Sequence, residues 1–227
     1  MSSRRSVEVV QVGAVSIPFS TAERWVREYT SESNKTAANP YSYPAYDFYE
    51  KEQSDPRRVS DADLLAPVLL NVSISVRSYY ALQAVRGLLE EALANDHLDV
   101  PLAEIGDRAA IAAMVKPLYA VLDGNLLWGM GATKLSKILH RKRPESIVLH
   151  DKWVRKCYVG EGLAVPLAKK RSWSDYMVAI TEAIGRDVRE QPDAFMELGN
   201  AVSGPGKLSN IRLLDILAWR SRGKAPS

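Results

Sequence analysis

Two glycines separated by one apolar residue, Gly129-Met130-Gly131, constrain this chain more than any other feature. They lie in the stretch from Leu126 to Lys156, LLWGMGATKLSKILHRKRPESIVLHDKWVRK. A short apolar run ends at the glycines, an amphipathic run follows, and Ile147-Val148-Leu149 then leads into Asp151. Glycine tolerates the positive φ of a tight turn and lets another backbone approach closely. The spacing therefore predicts a hairpin between two helices. The amides that open the second helix are left uncovered, and the helix dipole favours an anion there. A plain tight turn would need the same residues, but in this setting the pattern favours backbone contact with a phosphate.

Charge sharpens that reading. The whole chain of 227 residues carries a formal charge of only +3, which says little about partners. Between Lys134 and Lys156, however, eight basic residues face two acidic ones, a local +6. Lys134 and Lys137 share one side of the second helix, and Arg141, Lys142 and Arg143 follow in the linker. Basic clusters of this kind contact phosphates or simply form a solvated face. The single cysteine, Cys157, excludes an intrachain disulfide and a multi-cysteine metal or iron–sulfur site. His140 and His150 have no cysteine or paired carboxylate at ligand spacing, so no metal is expected. Apolar runs fall short of the roughly 18 residues of a membrane span, and the N-terminus lacks the continuous apolar core of a signal peptide. A cytoplasmic protein is expected.

Most of the chain reads as helix. Residues 7–17 are β-branched and leave room for one short N-terminal strand. A helix starts at Ser20-Thr21 with Trp25, Val26 and Tyr29 on one face. Residues 31–44 are a Ser/Asn/Pro-rich loop. Tyr41, Tyr43, Tyr46 and Tyr49 are expected to pack that region onto the core, with base stacking as the alternative. Ser60 and Asp63 form a capping box ahead of Leu64–Leu70, a buried helix kinked at Pro67. Ser75 caps a helix over 76–93, Asp107 caps one through Val115, and Pro117 opens another. Beyond Asp151, further helices are expected after Lys152, after a Ser174 cap, after an Asp193 cap and from Asn210. Trp153, Trp219 and Cys157 are expected in the core. The class is mainly α, with an N-terminal extension over 1–58 packing on a helical domain over 59–222.

The run from Leu126 to Arg155 resembles the helix-hairpin-helix motif and following loop of the endonuclease III-like DNA glycosylase superfamily. Gly129 and Gly131 match its glycines, and Asp151 matches its aspartate, twenty residues beyond the second glycine. The stretch from Asp63 to Ser73 resembles that family's buried helix, which runs into a loop that fills the gap in damaged DNA. The resemblance implies a compact multi-helix glycosylase-like fold and a DNA duplex gripped through its phosphate backbone. The implied contacts come from Gly129, Gly131, Thr133, Lys134, Lys137, Arg141, Lys142 and Arg143, with Asn71 and Ser73 across the cleft. It also implies a catalytic role for Asp151, beside a sugar whose base has been flipped out. An aspartate ahead of Lys152 also suits a helix cap, and both roles can coexist.

The departures from the family carry information too. Thr133 stands where members with lyase activity carry a Schiff-base lysine, and Lys134 lies roughly 100° further round the helix. Ser73 stands where a gap-filling glutamine is common. The family's iron–sulfur cysteines are missing, so no cofactor is implied. The expectation is a DNA-binding protein, in its sharpest form a monofunctional glycosylase excising a damaged or modified base. The alternatives are a non-catalytic DNA-binding module on the same scaffold, or a protein-interaction domain.

Overall fold

The structure, a computed structural model, describes residues 7–38, 40–50, 54–124 and 127–226. The described residues hold one two-stranded sheet and ten α-helices. The strands are β1 (Val9–Val12) and β2 (Val15–Pro18). The first helices are α1 (Phe19–Thr30), α2 (Ala45–Phe48), α3 (Leu65–Leu69), α4 (Val76–Leu93) and α5 (Arg108–Ala120). The rest are α6 (Ala132–Lys142), α7 (Lys152–Tyr158), α8 (Trp173–Glu190), α9 (Pro192–Asn200) and α10 (Asn210–Ser221). The mainly α expectation holds. No described helix is long and apolar enough to cross a membrane.

The N-terminal β-branched run makes two strands rather than one. Gly13 adopts φ +59, which turns the chain back so that Val10 pairs with Ile17 and Gln11 with Ser16. A Cβ at Gly13 would sit 2.3 Å from the Cys157 carbonyl oxygen, so the turn also needs glycine for contact with α7. Alternation buries Val10, Val12, Val15 and Ile17 in the same core as Leu213 and Leu217 of α10. Helix α1 packs on α10 through its Trp25–Val26–Tyr29 face. Described residues ahead of position 59 thus pack into the same core as the helices that follow.

Cap chemistry explains most helix starts. Ser75 accepts from the Ser78 amide, and Asp107 from the Ala109 and Ala110 amides. Three starts differ from expectation for local reasons. Pro117 lies inside α5 instead of opening a helix. The Ala113 carbonyl that a proline at 117 leaves without its helical donor accepts from Asn95 Nδ2 at 3.1 Å, which lets the helix run on. Helix α8 begins at Trp173 under a Ser172 cap, with the Asp123 carboxylate accepting from the Trp173 and Ser174 amides. Helix α9 begins at Pro192, because proline's fixed φ suits the first helical position better than a following aspartate cap.

Candidate functional site

The chain turns at Gly129 just ahead of α6, but α5 ends at Ala120, so a stretch of eleven residues rather than a tight turn separates the two helices, and the two glycines do different work. Gly129 sits at φ +91, and a Cβ there would meet the Ser78 amide nitrogen at 2.8 Å. Close approach to α4 is its role. Ser78 Oγ donates to the Gly129 carbonyl at 2.8 Å. Lys134 Nζ donates to that same carbonyl at 2.7 Å and to Ser78 Oγ at 3.0 Å. Lys134 therefore clips the hairpin to α4, and its ammonium faces the protein. Gly131 is different. It is extended (φ −125), exposed, and has open space where a Cβ would go. No side chain caps α6, so the Ala132 and Thr133 amides have no side-chain partner, while the Lys134 amide donates to the Gly131 carbonyl at 3.0 Å. Leu126 lies outside the described residues.

The remaining basic residues of α6 and its linker turn inward. Arg141 donates to the Asp47 carbonyl at 2.7 Å and to the Tyr49 carbonyl, with its guanidinium 4.3 Å from the Tyr49 ring centre. Lys142 is buried against Asp63 at 2.8 Å and Ser54 at 2.9 Å. Arg143 pairs with Asp99 at 2.5 Å and donates to the Leu93 carbonyl at 3.1 Å. Arg141, Lys142 and Arg143, expected at phosphates, here tie the N-terminal segments and α4 to α6. Helix α6 is too enclosed for its basic run to form a solvated face. Lys152, Arg155 and Lys156 remain exposed.

Asp151 is delivered by α6. Ser136 Oγ accepts from the His150 amide at 3.0 Å, and His140 Nδ1 bonds the Ile147 carbonyl at 2.7 Å. These bonds hold Ile147-Val148-Leu149, all buried, along the helix and place Asp151 at its end. Asp151 Oδ1 accepts from the Trp153 and Val154 amides at 2.7 and 3.0 Å, so the residue caps α7. Its Oδ2 bonds no described residue. One oxygen holds the helix and the other has no hydrogen-bond partner among the described residues.

Two cavities meet at Asp151. The smaller, of about 240 Å³, has an aromatic wall and a charged floor. Tyr29 and Tyr41 stack at 5.3 Å, and Trp219 meets both edge-on at 5.9 and 5.7 Å. Trp219, expected in the core, is 36% exposed, and Tyr41 lines the cavity while Tyr43 and Tyr46 are buried. The floor holds Lys137, Asp151, Arg212 and Asp215. Buried Arg212 bonds Asp47 Oδ1 at 2.9 Å, Asp215, and the Tyr29 hydroxyl at 2.6 Å. Burial pushes the Asp215 carboxyl up, against the pull of Arg212 and Lys137. Lys137 is 3% exposed, and no hydrogen bond joins its Nζ to a described residue. Burial lowers its pKa, opposed by Asp215 and Asp151. Asn71, in the left-handed region at φ 58, lines the far rim of the same cavity. Ser73 is exposed and does not line it. Thr133 borders the larger cavity beside Asp151.

Arg212 and Asp215 escaped the sequence reading, although two charges three apart on the otherwise apolar Ile211–Ala218 segment were a visible signal. Among the described residues, no group of three or more His, Cys, Asp or Glu is placed to hold a metal.

Both histidines near the site are kept neutral by burial, His140 to about 3 and His150 to about 4. Their pKa values are depressed on folding, so the unfolded chain binds more protons below about 6.5. The stability they contribute is complete above that pH and is lost as pH falls toward 4. The expected slope is about 1.4 kcal/mol per pH unit for each histidine. Denaturant titrations from pH 7 to 4.5 should show a shallower loss for His140→Asn, which keeps a donor for the Ile147 carbonyl. Equal slopes would contradict the assignment.

A mainly helical protein with an aromatic-walled cavity beside α6, floored by two cations and two carboxylates, is the class that this geometry defines. The chain belongs to a family of unknown function, DUF6308, whose model matches residues 22–222. That match begins well before residue 58, in keeping with the shared core. No curated protein and no solved structure matches the chain.

Proposed function

We propose that this protein binds duplex DNA and hydrolyses the N-glycosidic bond of a nucleotide extruded from the stack. The observation that carries the reading is Asp151, with one oxygen uncommitted, on the floor of a cavity sized for a single base. A volume of about 240 Å³ lies below the range of drug-sized sites. The stacked tyrosines and Trp219 offer faces and edges on which a flat ring can pack. The open amides beside Gly131 suit a backbone phosphate next to the extruded sugar.

In the reaction, the bond between the sugar carbon and the base breaks and its electron pair leaves with the base. Asp151 stabilises the positive character that develops on the sugar. Water supplies the hydroxyl to the sugar carbon, and the proton that it gives up ends on the departing base. Arg212 fixes the Tyr29 hydroxyl and with Lys137 balances the two acids of the floor. Thr133, at the position of the glycosylase superfamily's lyase lysine, carries no amine, and the expected sugar product is an intact abasic site.

Incubation with a panel of duplexes carrying damaged or modified bases, followed by alkali, tests this. Strand breaks that need the alkali step and disappear in Asp151→Asn are expected. A panel with no alkali-sensitive product, or one unaffected by Asp151→Asn, overturns the proposal. In that outcome, salt-sensitive duplex binding would mark a non-catalytic DNA-binding scaffold.

A further inference from the structure

The larger cavity, of about 470 Å³, lies on the other side of Asp151, between the first turn of α6, α7 and the start of α8. Its lining combines two chemistries. Lys152, Arg155 and Arg171 bring three positive charges, and none of them forms an ion pair with a described residue, although the Lys152 ammonium also lies 4.5 Å from the Trp153 ring centre. Asp151 is the one carboxylate among the lining residues, and its Oδ1 is committed to the α7 amides. His150 adds no charge near neutral pH, because burial holds its imidazole neutral. The cavity is therefore cationic.

Its second chemistry is aromatic. His150, Trp173 and Tyr176 meet edge-on, with ring centres 5.3, 5.7 and 6.4 Å apart. His150 Nε2 lies 3.0 Å from the Tyr176 hydroxyl, which locks two of the rings together. Trp173 is held from behind. Its amide donates to Asp123 at 2.6 Å, yet the residue remains 44% exposed. Arg155 and Arg171 both lie close enough to Tyr176 to oppose the rise that burial imposes on its hydroxyl. Both arginines line the same cavity as the ring cluster. A fixed, accessible indole beside convergent unpaired cations matches a ligand with one flat face and one anionic end.

We propose that this cavity is a nucleotide site, with the phosphate held by Arg155, Arg171 and Lys152 and the base packed on Trp173. The site stands without the glycosidic reaction, since none of these contacts uses Asp151 chemistry. Its volume falls within the range of small-molecule sites and is about twice that of the base cavity. The occupant is either a free mononucleotide or the next nucleotide of a strand whose neighbour enters the smaller cavity.

Calorimetric titration of the full chain with deoxyadenosine monophosphate, deoxyadenosine, pyrophosphate and a trinucleotide tests the site. Saturable binding of the monophosphate is expected, at least tenfold tighter than the nucleoside. It should weaken at least tenfold in Arg155→Gln/Arg171→Gln and in Trp173→Ala, and stay unchanged in the remote surface variant Arg24→Gln. Circular dichroism would establish that each variant is folded. A trinucleotide binding tenfold tighter than the monophosphate identifies a strand as the occupant, and equal affinity identifies the free nucleotide. The proposal is overturned by absence of saturation, by affinity indifferent to the two arginines, or by pyrophosphate equalling the nucleotide with Trp173→Ala without effect.

Discussion

Asp151→Asn is expected to lower base excision at least about 100-fold while leaving the folded protein as stable as before. The reason is the division of labour within one carboxylate. Oδ1 caps α7 through two amides, and asparagine is as good a cap as aspartate. The substitution therefore keeps the helix start and removes only the negative charge that faces the sugar. Asp151→Ala separates the same two roles from the other side, losing the activity and about 1 kcal/mol of stability. If Asp151→Asn kept full activity, the aspartate would be a cap and nothing more. Excision measured beside a denaturant curve for each variant decides it.

The second large effect concerns the cavity floor. Arg212→Leu is expected to destabilise the protein by about 3–5 kcal/mol, because it leaves Asp47 and Asp215 buried without their cation. Asp47 is the more exposed to this loss, since its Oδ2 already lacks a partner. The Tyr29 hydroxyl loses its donor at the same stroke. For a chain of this length, that cost corresponds to a fall in melting temperature of roughly 10 °C. Replacing all three charged residues together, as Asp47→Leu/Arg212→Leu/Asp215→Leu, should recover much of it, because similar-sized apolar groups carry no desolvation penalty. A single Arg212→Leu variant as stable as the wild type would show that the cluster is not the buried triad described.

How much of this was legible beforehand follows from range. Local chemistry was readable. Ser75, Asp107 and Asp151 each announce a helix from the residues beside them, and Gly129 and Gly131 announce the turn. Gly13 could have announced the β-hairpin, since a glycine amid β-branched residues marks a turn as readily as a strand end. The destinations of charges were not readable. Lys142 and Arg143 look like a solvated run because their partners, Asp63 and Asp99, belong to distant segments. Lys134 likewise turns back to α4 through Ser78. The cavity has the same character: its walls come from α1, the loop before α2, α6 and α10, so no contiguous stretch displays it. Lys137 and Asp151 were readable from their own stretch, whereas the other half of the floor, Arg212 and Asp215, was signalled only by the paired charges on α10.

The claim that the hairpin meets a phosphate backbone is tested most directly at Gly131. Its extended φ and open surroundings accept a side chain, and aspartate is a favoured helix cap. Gly131→Asp should therefore keep the fold, with stability unchanged or raised by a few tenths of a kcal/mol. The same carboxylate covers the α6 amides and repels a phosphate. The measurement is duplex affinity over a salt series for the wild type and Gly131→Asp. For wild type, log affinity should fall linearly with log salt, with a slope near −0.9 per phosphate contacted. The variant should lose at least about tenfold in affinity at every salt concentration. Undiminished binding by a well-folded Gly131→Asp protein, or no binding by the wild type at any salt, would contradict the account.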